Sequence, residues 1–92
     1  MTDVVMLLAP PRSYRLAAYL AAAQALGARP IVASVGVRPL VPDGVTGVQI
    51  DLPPDGDPSA ALFKAAHSLG VRAVVATDDA TVELACEVAA SL

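Results

Sequence analysis

At 92 residues the chain has room for one small domain and no internal linker, so every layer of its fold must feed a single core. Hydrophobic residues make up 55% of it and charged residues 16%, which is too apolar for a disordered tail and too poor in charge for a solvated helical array. A net charge of -3, a pI near 4.7 and a single lysine, Lys64, remove the electrostatic basis for nucleic-acid binding.

The chain opens Met1-Thr2-Asp3, with no basic residue ahead of the first apolar run, so the pattern is not that of a secretory signal and the expected location is the cytoplasm. Asp3 to Ala9 is continuously apolar after its first residue and is bounded by Pro10 and Pro11, which predicts a strand buried on both faces, β1. Ser13 is placed to cap a helix, α1, in which Leu16, Tyr19, Leu20, Ala23 and Leu26 recur at helical spacing and which Gly27 stops. Its uncharged stretch runs from Leu16 to Ala28, short of the roughly 20 residues that span a bilayer, so no membrane partner is expected.

Pro30 to Val35 predicts a second buried strand, β2, and Gly36, Pro39, Pro42, Asp43 and Gly44 punctuate the loop after it. Val48, Ile50 and Leu52 alternate with Gly47, Gln49 and Asp51, the period of a strand with one wet face, so β3 is expected at a sheet edge. Asp57-Pro58 is a helix start and Gly70 a stop, enclosing α2 with Leu62, Ala65, Ala66 and Leu69. Val71 to Ala76 reads as a further buried-type strand, β4. Thr77, Asp78 and Asp79 then open α3, where the helix dipole favours acidic groups.

The order β-α-β-β-α-β-α suits an α/β fold: a Rossmann-like three-layer sandwich with a mainly parallel four-stranded sheet, order 3-2-1-4, and helices on both faces. The period of α3 (Val82, Ala85, Val88, Ala89, Leu92) meets no glycine, asparagine or proline stop, from which a longer native chain is expected. Between Arg15 and Arg29, α1 is apolar on nearly all faces. Such a helix normally has neighbours on more than its sheet side, although alanine tolerates exposure and accounts for the same composition.

In doubly wound sheets ligands gather beyond the carboxyl ends of the strands where strand order reverses, here between β1 and β4. The loop after β1, Ala-Pro-Pro-Arg-Ser-Tyr, lacks the glycines that let a backbone approach a dinucleotide pyrophosphate, and no phosphate-cradling Gly-Lys-Ser/Thr loop occurs. A phospho-acceptor receiver domain would need acidic residues after β1, and none is there. Arg12 and Ser13 at the α1 start can hold a carboxylate or phosphate, or be a surface arginine beside an ordinary cap. Asp78 and Asp79 can orient an amine, but two carboxylates are too few for a magnesium site and capping alone accounts for them. His67 falls on the polar side of α2. Cys86 shares a face with Val82 and Ala89; as a lone cysteine it forms no internal disulfide and it has no cationic neighbour to activate it.

Two segments carry a resemblance. Ser13-Tyr14-Arg15, the alanine-rich helix ending Ala25-Leu26-Gly27 and the strand Ile31 to Ser34 look like the start of ATP-grasp enzymes. Val74-Val75-Ala76-Thr77-Asp78-Asp79-Ala80-Thr81-Val82-Glu83-Leu84-Ala85 resembles the last strand, loop and helix of their amino-terminal, pre-ATP-grasp domain, similar to that of biotin carboxylase and of carboxylate-amine ligases. The resemblance covers essentially all of residues 1–92 and implies that they form a single pre-ATP-grasp domain, a fragment of a longer chain. It implies ATP-dependent activation of a carboxylate to an acyl phosphate, with ATP and Mg held by later domains of the same chain and no cofactor in this one. It also implies that Arg12, Ser13, Tyr14, Thr77, Asp78 and Asp79 line the site of a small carboxylate or amine substrate, without a catalytic role. The competing expectation is a free-standing Rossmann-like binding or oligomerisation module, a homo-oligomer without catalysis.

Overall fold

Four short segments rich in β-branched and aliphatic residues pair into one sheet. In the computed structural model, which describes residues 3–10, 15–51, 54 and 56–91 apart from the side chains of Asp79 and Ala80, β1 is Val4–Leu8, β2 Arg29–Val35, β3 Thr46–Ile50 and β4 Val71–Ala76. They lie in the order β3-β2-β1-β4 and every pair is parallel. The helices are α1 (Leu16–Ala25), α2 (Ser59–Ser68) and α3 (Asp79–Ser91). The fold is the expected α/β, Rossmann-like sandwich, with strictly parallel rather than mainly parallel pairing. No helix among the described residues is long and apolar enough to cross a membrane.

Alternation along the central strands explains why they are apolar throughout. Met6 and Leu8 of β1 and Ala33 of β2 face one side, where they pack with Ile50, Val71, Leu62 and Ala66 of α2, and Ala85 and Val88 of α3. Leu7, Ala9 and Val32 face the other side and meet Leu20 of α1. A strand covered on both faces has no wet position to fill with a polar residue. Pro30 is tolerated in β2 because Arg29 donates its N–H to Asp3 across the β1 side, which turns Pro30 toward β3, and β3 pairing begins only at Ile31.

The connection from β2 to β3, residues 36–45, is a loop that covers the α1 face. Val41 and Val45 pack on the Leu7–Val32 cluster. At Gly47 a Cβ would stand 3.1 Å from the Pro39 ring and 3.3 Å from Val41, so the expected wet face of β3 is roofed there by the loop, while Gln49 and Asp51 remain exposed.

The local punctuation is as the sequence reads. Gly27, at φ 76°, gives its N–H to Gln24 O, and Ala28 gives its N–H to Ala23 O, the paired bonds that close a helix on a left-handed residue. At the start of α2 the Asp57 carboxylate accepts the Ser59 N–H at 3.0 Å. Ser13, the expected cap of α1, lies outside the described residues; Leu52, the expected last residue of β3, does too.

One strand differs from expectation. β4 reads as a buried strand but is an edge strand, and Ala73 and Val75 on its α1 side are exposed. The reason is reach: among the described residues α1 packs on β1 and β2 and does not extend over β4. The register also slips at its start, Val4 facing Val71 and Val5 facing Ala73, so Arg72 is an extra residue that returns Val71 to the buried face.

Candidate functional site

The carboxyl ends of β1, β2 and β4 are stitched together by side chains. Ser34, wholly buried near the end of β2, donates its hydroxyl to Ala9 O at 2.7 Å. On the other flank, Leu8 O accepts the Thr77 N–H at 3.1 Å and lies 3.1 Å from the Thr81 hydroxyl. Thr81 also places that hydroxyl 3.0 Å from Asp78 O, which accepts the Thr81 N–H at 3.1 Å. The first turn of α3 is therefore fixed to the end of β1, and the loop between them has little freedom.

Two of the six expected site residues meet in this corner. Thr77 is buried, and its hydroxyl donates to Asp78 Oδ2 at 3.0 Å. Asp78 is half-buried, directly ahead of α3 and close to the point where the strand order reverses. A carboxylate offers about four acceptor positions, so the bond from Thr77 orients the group and leaves capacity for a ligand ammonium or hydroxyl. Asp79 opens α3, but its side chain lies outside the description, and Arg12, Ser13 and Tyr14 lie outside the described residues altogether.

Ser34 and Thr81 belong to the corner and were not singled out from the sequence. Each left a faint signal: Ser34 is the single polar side chain between Pro30 and Val35, and Thr81 stands three residues after Asp78, a spacing that brings hydroxyl and carbonyl together in a first helical turn.

The other titratable candidates stand apart from the corner. His67 is exposed on α2 and stacks on Phe63 with ring centroids 6.0 Å apart, as a surface histidine does. Cys86 shares its face with Val82 and Ala89 as expected, and that face is exposed. No group of three or more His, Cys, Asp or Glu among the described residues can hold a metal ion. No protein-family model matches the chain, and neither a curated protein nor a solved structure matches it.

Proposed function

We propose that this chain is the amino-terminal, pre-ATP-grasp domain of an ATP-dependent carboxylate-amine ligase, lining the acceptor-substrate site and not catalytic alone. The observation that carries this reading is the Thr77–Asp78 corner: a carboxylate oriented by a buried hydroxyl, at the carboxyl edge of the sheet and beside the reversal of strand order, on the segment that resembles the family. Asp78 would receive the amine or hydroxyl of a small substrate. Arg12, Ser13, Tyr14 and Asp79 would complete the wall, and ATP and Mg would be held by the remaining domains of the same chain, in the cytoplasm.

The outer side of α1 supports a covering domain. A groove of about 410 Å³ runs between the helix and the loop that follows β2, lined by Leu16, Leu20, Gln24, Leu40 and Pro42, of which Leu40 is largely exposed. Contiguous apolar surface rimmed by few charges marks a contact site. Reading the coding sequence downstream of Leu92 tests the proposal. A following module with a nucleotide-binding lysine and acidic metal ligands is the expected result; an immediate stop codon, or a continuation without that module, overturns it.

The second reading, a free-standing oligomerisation module, is favoured by the uncovered edge of β4.

A further inference from the structure

The open edge of β4 is a pairing template. Thr77 turns its N–H to Leu8, and backbone direction alternates along a strand, so the N–H and C=O of Val74 and Ala76 point away from β1 into the open. The strand carries no proline and one charge, Arg72, and edges of this kind invite another chain. A shallow groove of about 300 Å³ continues the apolar surface from Val74, Val75 and Ala76 to Val82, Cys86 and Ala89 of α3.

We propose that two copies of this chain associate through this edge, β4 against β4 in antiparallel register with Val75 on the two-fold axis. Hydrogen-bond phase requires outward residues to face outward residues, which allows Val74 opposite Val74, Val74 opposite Ala76, or Ala76 opposite Ala76. The charges choose among them. With Val74 opposite Ala76, the bulged Arg72 at one end of the edge comes level with Asp78, just past the other end of the copy's strand, twice by symmetry, whereas in the other two registers it comes level with Ala76 or Ala80. Arg72 is exposed and approaches Asp3 only to 4.0 Å, so it is available for that contact. Val75 meets its own copy at the axis, a β-branched pair on the uncovered face. On the opposite face of the sheet, Cys86 and Ala89 keep the edge-facing side of α3 small, as two helices packing within about 8–10 Å require. The inference shares Asp78 with the ligase reading but does not rest on it: Val75→Lys and Arg72→Asp test the edge and leave the Thr77–Asp78 corner intact.

Sedimentation velocity on the 92-residue chain over a range of concentrations tests it, with circular dichroism to verify folding of each variant. The expected result is a monomer–dimer equilibrium that Val75→Lys abolishes and that Arg72→Asp or Asp78→Arg weakens roughly tenfold, two symmetry-related pairs being lost at once. The double variant Arg72→Asp with Asp78→Arg restores association, and a short bismaleimide joins Cys86 to Cys86 in the dimer. A monomer at every concentration overturns the proposal. So does a dimer indifferent to Val75→Lys and to charge reversal, the outcome expected if copies met through the α1 groove instead.

Discussion

Ser34 and Ala9 are joined by a 2.7 Å hydrogen bond between a buried hydroxyl and a backbone carbonyl at the ends of neighbouring strands. The bond closes the β1–β2 seam beside the loop that leads into α1. Replacing Ser34 by alanine removes the donor without letting water in, so Ser34→Ala is expected to cost about 1–3 kcal/mol. For a domain of this size each kcal/mol lowers the melting temperature by roughly 4–8 °C. A melt unchanged within error would mean that Ala9 O is satisfied without Ser34.

The core provides a larger effect and its control. Leu62 is wholly buried between α2 and the sheet, touching the cluster that holds Met6, Leu8 and Val88, whereas Leu40 is 82% exposed. Leu62→Ala leaves a cavity in the one large core and is expected to cost about 2–5 kcal/mol. The whole domain has roughly 5–14 kcal/mol at its disposal. Leu40→Ala should stay within about 0.5 kcal/mol of the parent. Urea titration of both variants gives the comparison, and equal midpoints would contradict the assignment of Leu62 to the core.

These contrasts show what was legible in the sequence. Gly27, Gly70 and Asp57-Pro58 mark their helix ends because each acts within a few residues of itself, through a left-handed backbone or a carboxylate reaching the next turn. The strand order followed from which runs were apolar throughout. The exposure of Val75 did not, because an apolar strand reads the same whether a helix covers it or stops one strand short. Gly47 looked like a wet position since nothing nearby reveals that Pro39 folds over it. The Thr77–Asp78 corner was legible as a place but its bonding was not: Thr77 and Asp78 announce themselves as capping residues, but Thr81 and Leu8 are 73 residues apart.

Thr81 ties α3 to β1, and the tie can be tested apart from packing. Thr81→Val keeps the shape and branching of the side chain and deletes the hydroxyl that lies 3.1 Å from Leu8 O and 3.0 Å from Asp78 O. The expected loss is about 0.5–1.5 kcal/mol. It should be local as well as global: amides in the first turn of α3 exchange faster with solvent than those of β1 or α2, relative to the parent protein. Uniform acceleration across the chain would place the hydroxyl's contribution elsewhere.

Asp57 supplies a pH dependence whose sign is fixed by its hydrogen bonds. Its carboxyl is held below the ordinary value of 3.8, chiefly because the carboxylate accepts the Ser59 N–H and secondarily because it accepts the Ser59 hydroxyl. The folded state therefore binds this proton less readily than the unfolded state. The contribution is present in full above 3.8, declines as pH falls below it and is gone once pH has passed the lowered folded value. Asp57→Asn keeps a capping oxygen and removes the charge, so near neutral pH it melts close to the parent. Below the carboxylate range the parent loses stability more steeply than the variant, and the gap between the two melting curves isolates Asp57, because every other carboxylate contributes equally to both. The group is fully exposed and screened, so the gap is small and narrows further with added salt. Parallel acid limbs for parent and variant would show that the cap works through hydrogen bonding alone, with no gain from the ionised form.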